Sequence, residues 1–219
     1  MKTVYFVRHG ESEANVGAAT FMGETSKLTE RGREQAAFIA KRSARLKFDA
    51  LLCSTAIRAK ETAEYIQKET GKEPEVVEIF TERKLPDELL GKPRDVPETE
   101  KMHKDWTDTF YQDDLRVGNG DNFSIFKSRV LQALDYLKAR DEVSLLVVTH
   151  GFFLHMAASL VLLGEELTAA EFKKMAPALW MKNTGLTMFE YRMKDEKRLD
   201  NIRREGWVIQ VLNDHAHLG

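Results

Sequence analysis

The sequence predicts a three-layer α/β/α sandwich on a mostly parallel central sheet, and three observations predict it. Short β-rich runs alternate with longer stretches of helical periodicity along the 219 residues, a pattern that sets strands side by side with helices as crossovers. One run, Ser144-Leu145-Leu146-Val147-Val148-Thr149, is apolar without alternation, as a strand covered on both faces requires. Hydrophobic residues make up 42% and charged residues 31%, a balance that supports a buried core and excludes disorder, collagen and a membrane bundle.

In chain order, the predicted strands are residues 3–7, 49–54, 74–80, 144–149, 186–191 and 207–212. Between them, Ala59, Thr62, Ala63 and Ile66 recur at helical spacing, and so do Phe123, Phe126, Val130, Ala133, Leu134 and Leu137. Thr168 and Glu171 read as a capping box, with Leu167 and Phe172 as its hydrophobic staple. The last two strands suit antiparallel pairing across the charged connector 193–205. There is no internal repeat and no low-complexity linker. The reading is therefore one domain over residues 1–219, with an irregular stretch at about 84–120 as an insertion or lid. That stretch is too short to own a core, and the blander reading is a surface excursion.

Lys and Arg number 33 against 35 Asp and Glu, for a net charge of −2. No bulk positive field is present to hold nucleic acid or an anionic membrane, so an anion must be held by particular residues. A single cysteine, Cys53, excludes an internal disulfide and a thiolate-rich zinc site. Arg8 breaks the apolar opening, which is too short for a secretory signal. The longest apolar region, 152–163, is interrupted by His155 and falls short of a membrane span. The expectation is a cytoplasmic protein with no membrane or nucleic-acid partner. Nothing in the sequence specifies an oligomeric state.

In a parallel α/β sheet, ligands bind beyond the carboxyl ends of the strands. Arg8-His9-Gly10 follows the first predicted strand, Ser54 and then Arg58 the second, Glu82 the third, and His150-Gly151 the fourth. Two histidines, two arginines and a carboxylate thus converge on one rim. Guanidinium forks match the tetrahedral oxygens of phosphate and stay charged at working pH, and helix N-termini add backbone donors. Beside Arg8 and Arg58, His9 is expected to have a lowered pKa and to keep a free nitrogen lone pair, which makes it a nucleophile toward a trapped phosphate.

These residues stand in recognisable segments. Val7-Arg8-His9-Gly10-Glu11-Ser12 with Asn15, then 28–36, Cys53–Thr62 and Val148-Thr149-His150-Gly151, resemble in order the signature segments of the histidine phosphatase (phosphoglycerate mutase-like) superfamily. The resemblance runs from Lys2 to about Gly151. It implies a phosphoglycerate mutase-like fold, with His9 as the nucleophile that becomes phosphohistidine. It further implies that Arg8, Arg58 and His150 form the charged phosphate pocket, that Asn15 and the Gly151 backbone add contacts, and that Glu82 is the general acid. No metal and no cofactor are expected. The chain departs from the mutase motif Glu-Arg-His-Tyr-Gly: Glu82-Arg83 is present, but Lys84-Leu85-Pro86 follows, with Lys92 and Arg94 as the nearest basic replacements. Asp87 and Glu88 are the alternative acids. The expected activity is hydrolysis of a small phosphorylated metabolite. A phosphomutase and a non-catalytic phospho-ligand module are the alternatives.

Other motifs weigh less. Cys53 and Arg58 have four residues between them, where a cysteine phosphatase loop needs five. Gly71-Lys72 and Gly91-Lys92 lack the rest of a nucleotide P-loop, and Gly118-Asn119-Gly120 reads as a turn. Asp214-His215-Ala216-His217 lies near a terminus, where a metal site is disfavoured. His103 and His155 read as surface and helix-packing residues. Phe21 and Met22 read as loop packing or as lining for a leaving group.

Overall fold

The computed structural model describes residues 1–193 and 205–219. Along the chain run β1 (Lys2–Arg8), α1 (Glu30–Ser43), β2 (Ala50–Cys53), α2 (Ile57–Thr70), β3 (Pro74–Val76), α3 (Pro97–Thr109) and α4 (Phe123–Ala139). After these come β4 (Ser144–Thr149), α5 (Gly151–Leu163), α6 (Ala169–Met175), β5 (Leu186–Arg192) and β6 (Gly206–Asp214). The strands form one sheet in the order β3-β2-β4-β1-β5-β6. The first four of these pair in parallel, while β5 is antiparallel to both β1 and β6. The 193–205 connector lies mostly outside the described residues.

Side-chain alternation along the strands divides the core into two layers. Val7, Leu51, Cys53, Leu146 and Val148 pack with Ile39, Ala40, Ala59, Ala63 and Ile66 of α1 and α2. The alternate positions Val4, Phe6, Leu52, Leu145 and Val147 pack under α4 and α5, against residues such as Phe126, Val130, Phe153 and Ala157. Because β4 is buried on both faces, its sequence needs no polar alternation. The capping box at Thr168 forms, and its staple partners Leu167 and Phe172 are buried.

The third strand is shorter than the predicted 74–80. It sits at the sheet edge and pairs only with β2, whose last residue is Cys53, so the ladder ends at Val76. Residues Glu78–Phe80 instead make a 3-10 turn that drives Phe80 into the core, where its carbonyl accepts from Thr149 Oγ1 at 2.8 Å. The tail beyond β6 folds back on α1, where Arg42 contacts both Asp214 and His217. His155 is buried against Phe172, and Gly118-Asn119 form a turn.

After β1 the chain passes very close to the start of α1. A Cβ at Gly32 would lie 1.9 Å from the Glu11 carbonyl oxygen, and one at Gly10 would lie 2.4 Å from that of Gly32. Thr29 caps the helix by accepting from the Gly32 N–H while donating to Glu11 Oε1. Gly32→Ala must push these backbones apart and is expected to cost at least about 3 kcal/mol of stability. Chemical denaturation with an unchanged midpoint would refute this.

Candidate active site

The carboxyl ends of β1, β4 and β2 lie side by side, and the residues that follow them meet there. His9 is buried, 2% exposed. Its backbone N–H donates to the Thr149 carbonyl, and Gly10 N–H donates to Thr62 Oγ1, so the loop after β1 is tied to β4 and α2. The His9 Nδ1 lies 2.7 Å from the Gly10 carbonyl, which can only accept, so Nδ1 carries the proton. Nε2 is left with its lone pair, and Arg58 Nε–H donates to it at 3.0 Å.

Arg58 projects from the first turn of α2 and is also buried. Its two Nη atoms donate to the Gly23 carbonyl at 2.8 Å and to His150 Nδ1 at 3.1 Å. A guanidinium has no acceptor, so His150 Nδ1 is unprotonated and its Nε2–H donates to Ser54 Oγ at 2.7 Å. The two imidazoles lie edge to face with ring centroids 5.1 Å apart. Burial first, then the Arg58 and Arg8 charges, hold His9 well below its usual pKa. Burial, Arg58 and neighbouring groups do the same for His150. Both rings are neutral by geometry and by electrostatics.

Arg8 reaches the Met181 carbonyl through Nη1, while its buried Nε has no protein partner. Gly151, the first residue of α5, lets it lie close: a Cβ there would be 3.1 Å from Arg8 Nε. Asn15 Oδ1 accepts from Ser12 N–H, Ser12 Oγ and Asn183 Nδ2, leaving its own amide donors for a ligand in the cleft it lines. Glu82 accepts at Oε1 from its neighbour's N–H at 3.0 Å and at Oε2 from Phe152 N–H, in the first turn of α5, at 3.1 Å.

Arg8, His9, Asn15, Arg58 and Glu82 line one cleft of about 1030 Å³. His150 adjoins it through Arg58, and Gly151 through Arg8. Neither Asp87 nor Glu88 lines it, and Asp87 is occupied with Asn119 and Lys84. The far wall combines apolar and cationic groups: Phe21, Met22, Leu85, Leu90 and Trp106, with Arg83 and Arg94. Arg94 lies over Phe21 at 4.1 Å and Arg83 over Trp106 at 3.9 Å. His103 stands between those two rings. Lys92 is not part of this wall. Lys84, Leu85, Leu90, Gly91 and Arg94, with Trp106 of α3, thus supply part of the cleft's rim.

Sequence reasoning missed the loop before β5. Asn183 Nδ2 donates to the His9 carbonyl, and Thr184 N–H donates to the Arg8 carbonyl at 2.9 Å, with Thr184 at a φ of 56°. Among the described residues no group of three or more His, Cys, Asp or Glu is placed to hold a metal ion, and no helix is long and apolar enough to cross a membrane.

Comparison with known proteins gives concordant matches. The model of the histidine phosphatase superfamily (branch 1) matches residues 4–203. A relative from Enterobacter sp. (strain 638), named probable phosphoglycerate mutase GpmB, is 26% identical over 223 residues, covering 100% of this chain and 95% of its own. Among solved structures, the alpha-ribazole phosphatase of Shigella flexneri superposes with a TM-score of 0.74 at 22% identity, covering 97% of this chain and 96% of its own. Phosphoserine phosphatase of Entamoeba histolytica, in complex with 3-phosphoglyceric acid, superposes with a TM-score of 0.71 at 22% identity and 100% coverage of both chains.

Proposed function

Because the chain belongs to the histidine phosphatase superfamily, branch 1, we propose that it hydrolyses a small phosphomonoester through a phosphohistidine on His9, without a metal ion or cofactor. The carrying observation is the tautomer of His9. Nδ1–H is spent on the Gly10 carbonyl, so Nε2 keeps its lone pair, which accepts from Arg58 Nε–H until a phosphate takes that donor. That nitrogen attacks phosphorus while the bond to the leaving oxygen breaks and Glu82 gives that oxygen its proton. Arg8, Arg58, Asn15 and the Gly151 N–H stabilise the transferring oxygens, and His150 belongs to this phosphate pocket by holding the Arg58 guanidinium in place. Water then attacks the phosphohistidine, the carboxylate of Glu82 takes its proton, and Nε2 leaves.

The apolar share of the far wall and the Lys84-Leu85-Pro86 departure favour hydrolysis over mutase chemistry. Residues 84–120 act in this reading as an insertion that shapes the leaving-group side of a single domain. Purified protein assayed with chelator on p-nitrophenyl phosphate and on monophosphoglycerate tests it. Phosphate release that survives chelation supports the proposal, whereas isomerisation dependent on a bisphosphorylated primer replaces it with the mutase reading. Binding of phosphate without turnover would leave only a ligand-binding module. The role of Glu82 has its own signature. Glu82→Gln is expected to slow an alkyl phosphomonoester by about 10²-fold or more, and an aryl phosphate, whose leaving oxygen needs little protonation, far less. Equal slowing of both would remove Glu82 from the acid role.

A further inference from the structure

One buried carboxylate has no part in the chemistry above. Asp121, 3% exposed, stands just before α4. Its Oδ2 accepts from the Lys84 N–H at 2.7 Å and from Arg129. Its backbone N–H donates to the Lys84 carbonyl at 2.9 Å, and its carbonyl accepts from Trp106 Nε1 at 3.1 Å. Arg129, from α4, uses the same Nη2 to donate to the Glu82 carbonyl at 3.1 Å. The neighbouring backbone is tightly packed, since a Cβ on Gly120 would meet Pro86 and Trp106 at 2.8 Å.

The Glu82–Lys84 segment belongs to no helix or strand, so no ladder of backbone bonds fixes where its carboxyl sits. Phe152 N–H holds the carboxyl itself, and the contacts of Asp121, and of Arg129 in the cleft lining, constrain the backbone that carries it. Moving either partner leaves the buried Asp121 carboxylate without its cation, and that is penalised. General acid catalysis is sensitive to such geometry, and a displacement near 1 Å can cost about 10²-fold.

We infer that Asp121 and Arg129 are positioning residues that aim Glu82 at the leaving oxygen. The inference rests on Glu82 being the acid of the proposed reaction. Its test compares kcat/KM on glycerol phosphate and on p-nitrophenyl phosphate for the variants Asp121→Asn, Arg129→Lys, Glu82→Gln and the double variant Glu82→Gln/Asp121→Asn. Asp121→Asn is expected to lower the alkyl ester about tenfold or more and the aryl ester less than about threefold. Because Asp121 acts through Glu82, the double variant should match Glu82→Gln within about twofold on the alkyl ester.

A merely structural role would lower both substrates alike, and its effect would multiply with that of Glu82→Gln. Either result overturns the inference. Arg129 also lines the cleft, and Arg129→Lys keeps that cation there while losing the fork that holds Asp121 and the Glu82 carbonyl. It should show the same selectivity, and it carries the test if Asp121→Asn does not fold. An unselective Glu82→Gln would instead remove the acid assignment itself, and the inference with it. A selective Glu82→Gln beside an unselective Asp121→Asn would sink the positioning role alone.

Discussion

Replacing His9 with alanine is expected to lower kcat by roughly 10⁴-fold or more on every phosphomonoester the protein turns over, because the variant lacks the nitrogen that takes the phosphoryl group in the proposed reaction. The neighbouring imidazole cannot deputise. His150 does not line the cleft, and its one N–H is given to Ser54 Oγ. Arg8, Arg58 and Asn15 remain in the variant, so inorganic phosphate should still bind while turnover disappears. In the wild type, rapid quenching into base during turnover should trap an acid-labile phosphate that peptide mapping assigns to His9. Residual activity within about tenfold of wild type, or a trapped phosphate on another residue, would overturn the assignment of the nucleophile.

The same geometry shows which parts of the site were readable from sequence. His9, Ser54, Arg58 and His150 all stand just after parallel strands, where the rule that ligands sit at carboxyl ends applies directly. The far side of Arg8 and His9 was invisible to that rule. It is closed by residues 181–184, which precede a strand instead of following one. Since β5 is antiparallel to β1, its beginning lies at the rim where β1 ends. Looking before each antiparallel strand as well as after each parallel one would have found Asn183 and Thr184.

Glu82 illustrates a different gap. The third strand stops at Val76, so the carboxylate is set six residues beyond the sheet by an irregular segment. Its position depends on partners as distant in sequence as Asp121 and Arg129, which no local pattern links to it. The column of Arg94, Phe21, His103, Trp106 and Arg83 is likewise assembled from three separate stretches. Periodicity reveals which residues a helix buries, but not which surfaces the chain later brings together.

Replacing Arg58 with methionine is the second change expected to have a large effect, and it separates two consequences of one charge. The first is lost stabilisation of the transferring oxygens, roughly 10²- to 10³-fold in kcat/KM at the pH optimum. The second concerns protonation. In the wild type, burial and the Arg58 charge both depress His9, so the ring stays neutral well below its ordinary value of 6.5. An acid limb of kcat/KM set by His9 therefore lies below pH 6.5, and activity falls there as the lone pair is lost.

Removing Arg58 takes away one charge that disfavours the protonated ring, while the larger effect of burial persists. The limb should move to higher pH without passing the ordinary value. An unmoved limb, or one shifted further into acid, would show that Arg58 does not control the protonation of His9. Stability supplies an independent check with the same sign. Unfolded histidines bind protons near 6.5, whereas folded His9 and His150 resist them and folded His155 is held down to about 4 by burial. Below pH 6.5 the unfolded state thus binds more protons, so wild-type stability falls as pH drops from 6.5 toward 4. With the cation gone, folded His9 and His150 protonate more readily, and denaturation midpoints of Arg58→Met should decline less steeply over that interval than those of the wild type.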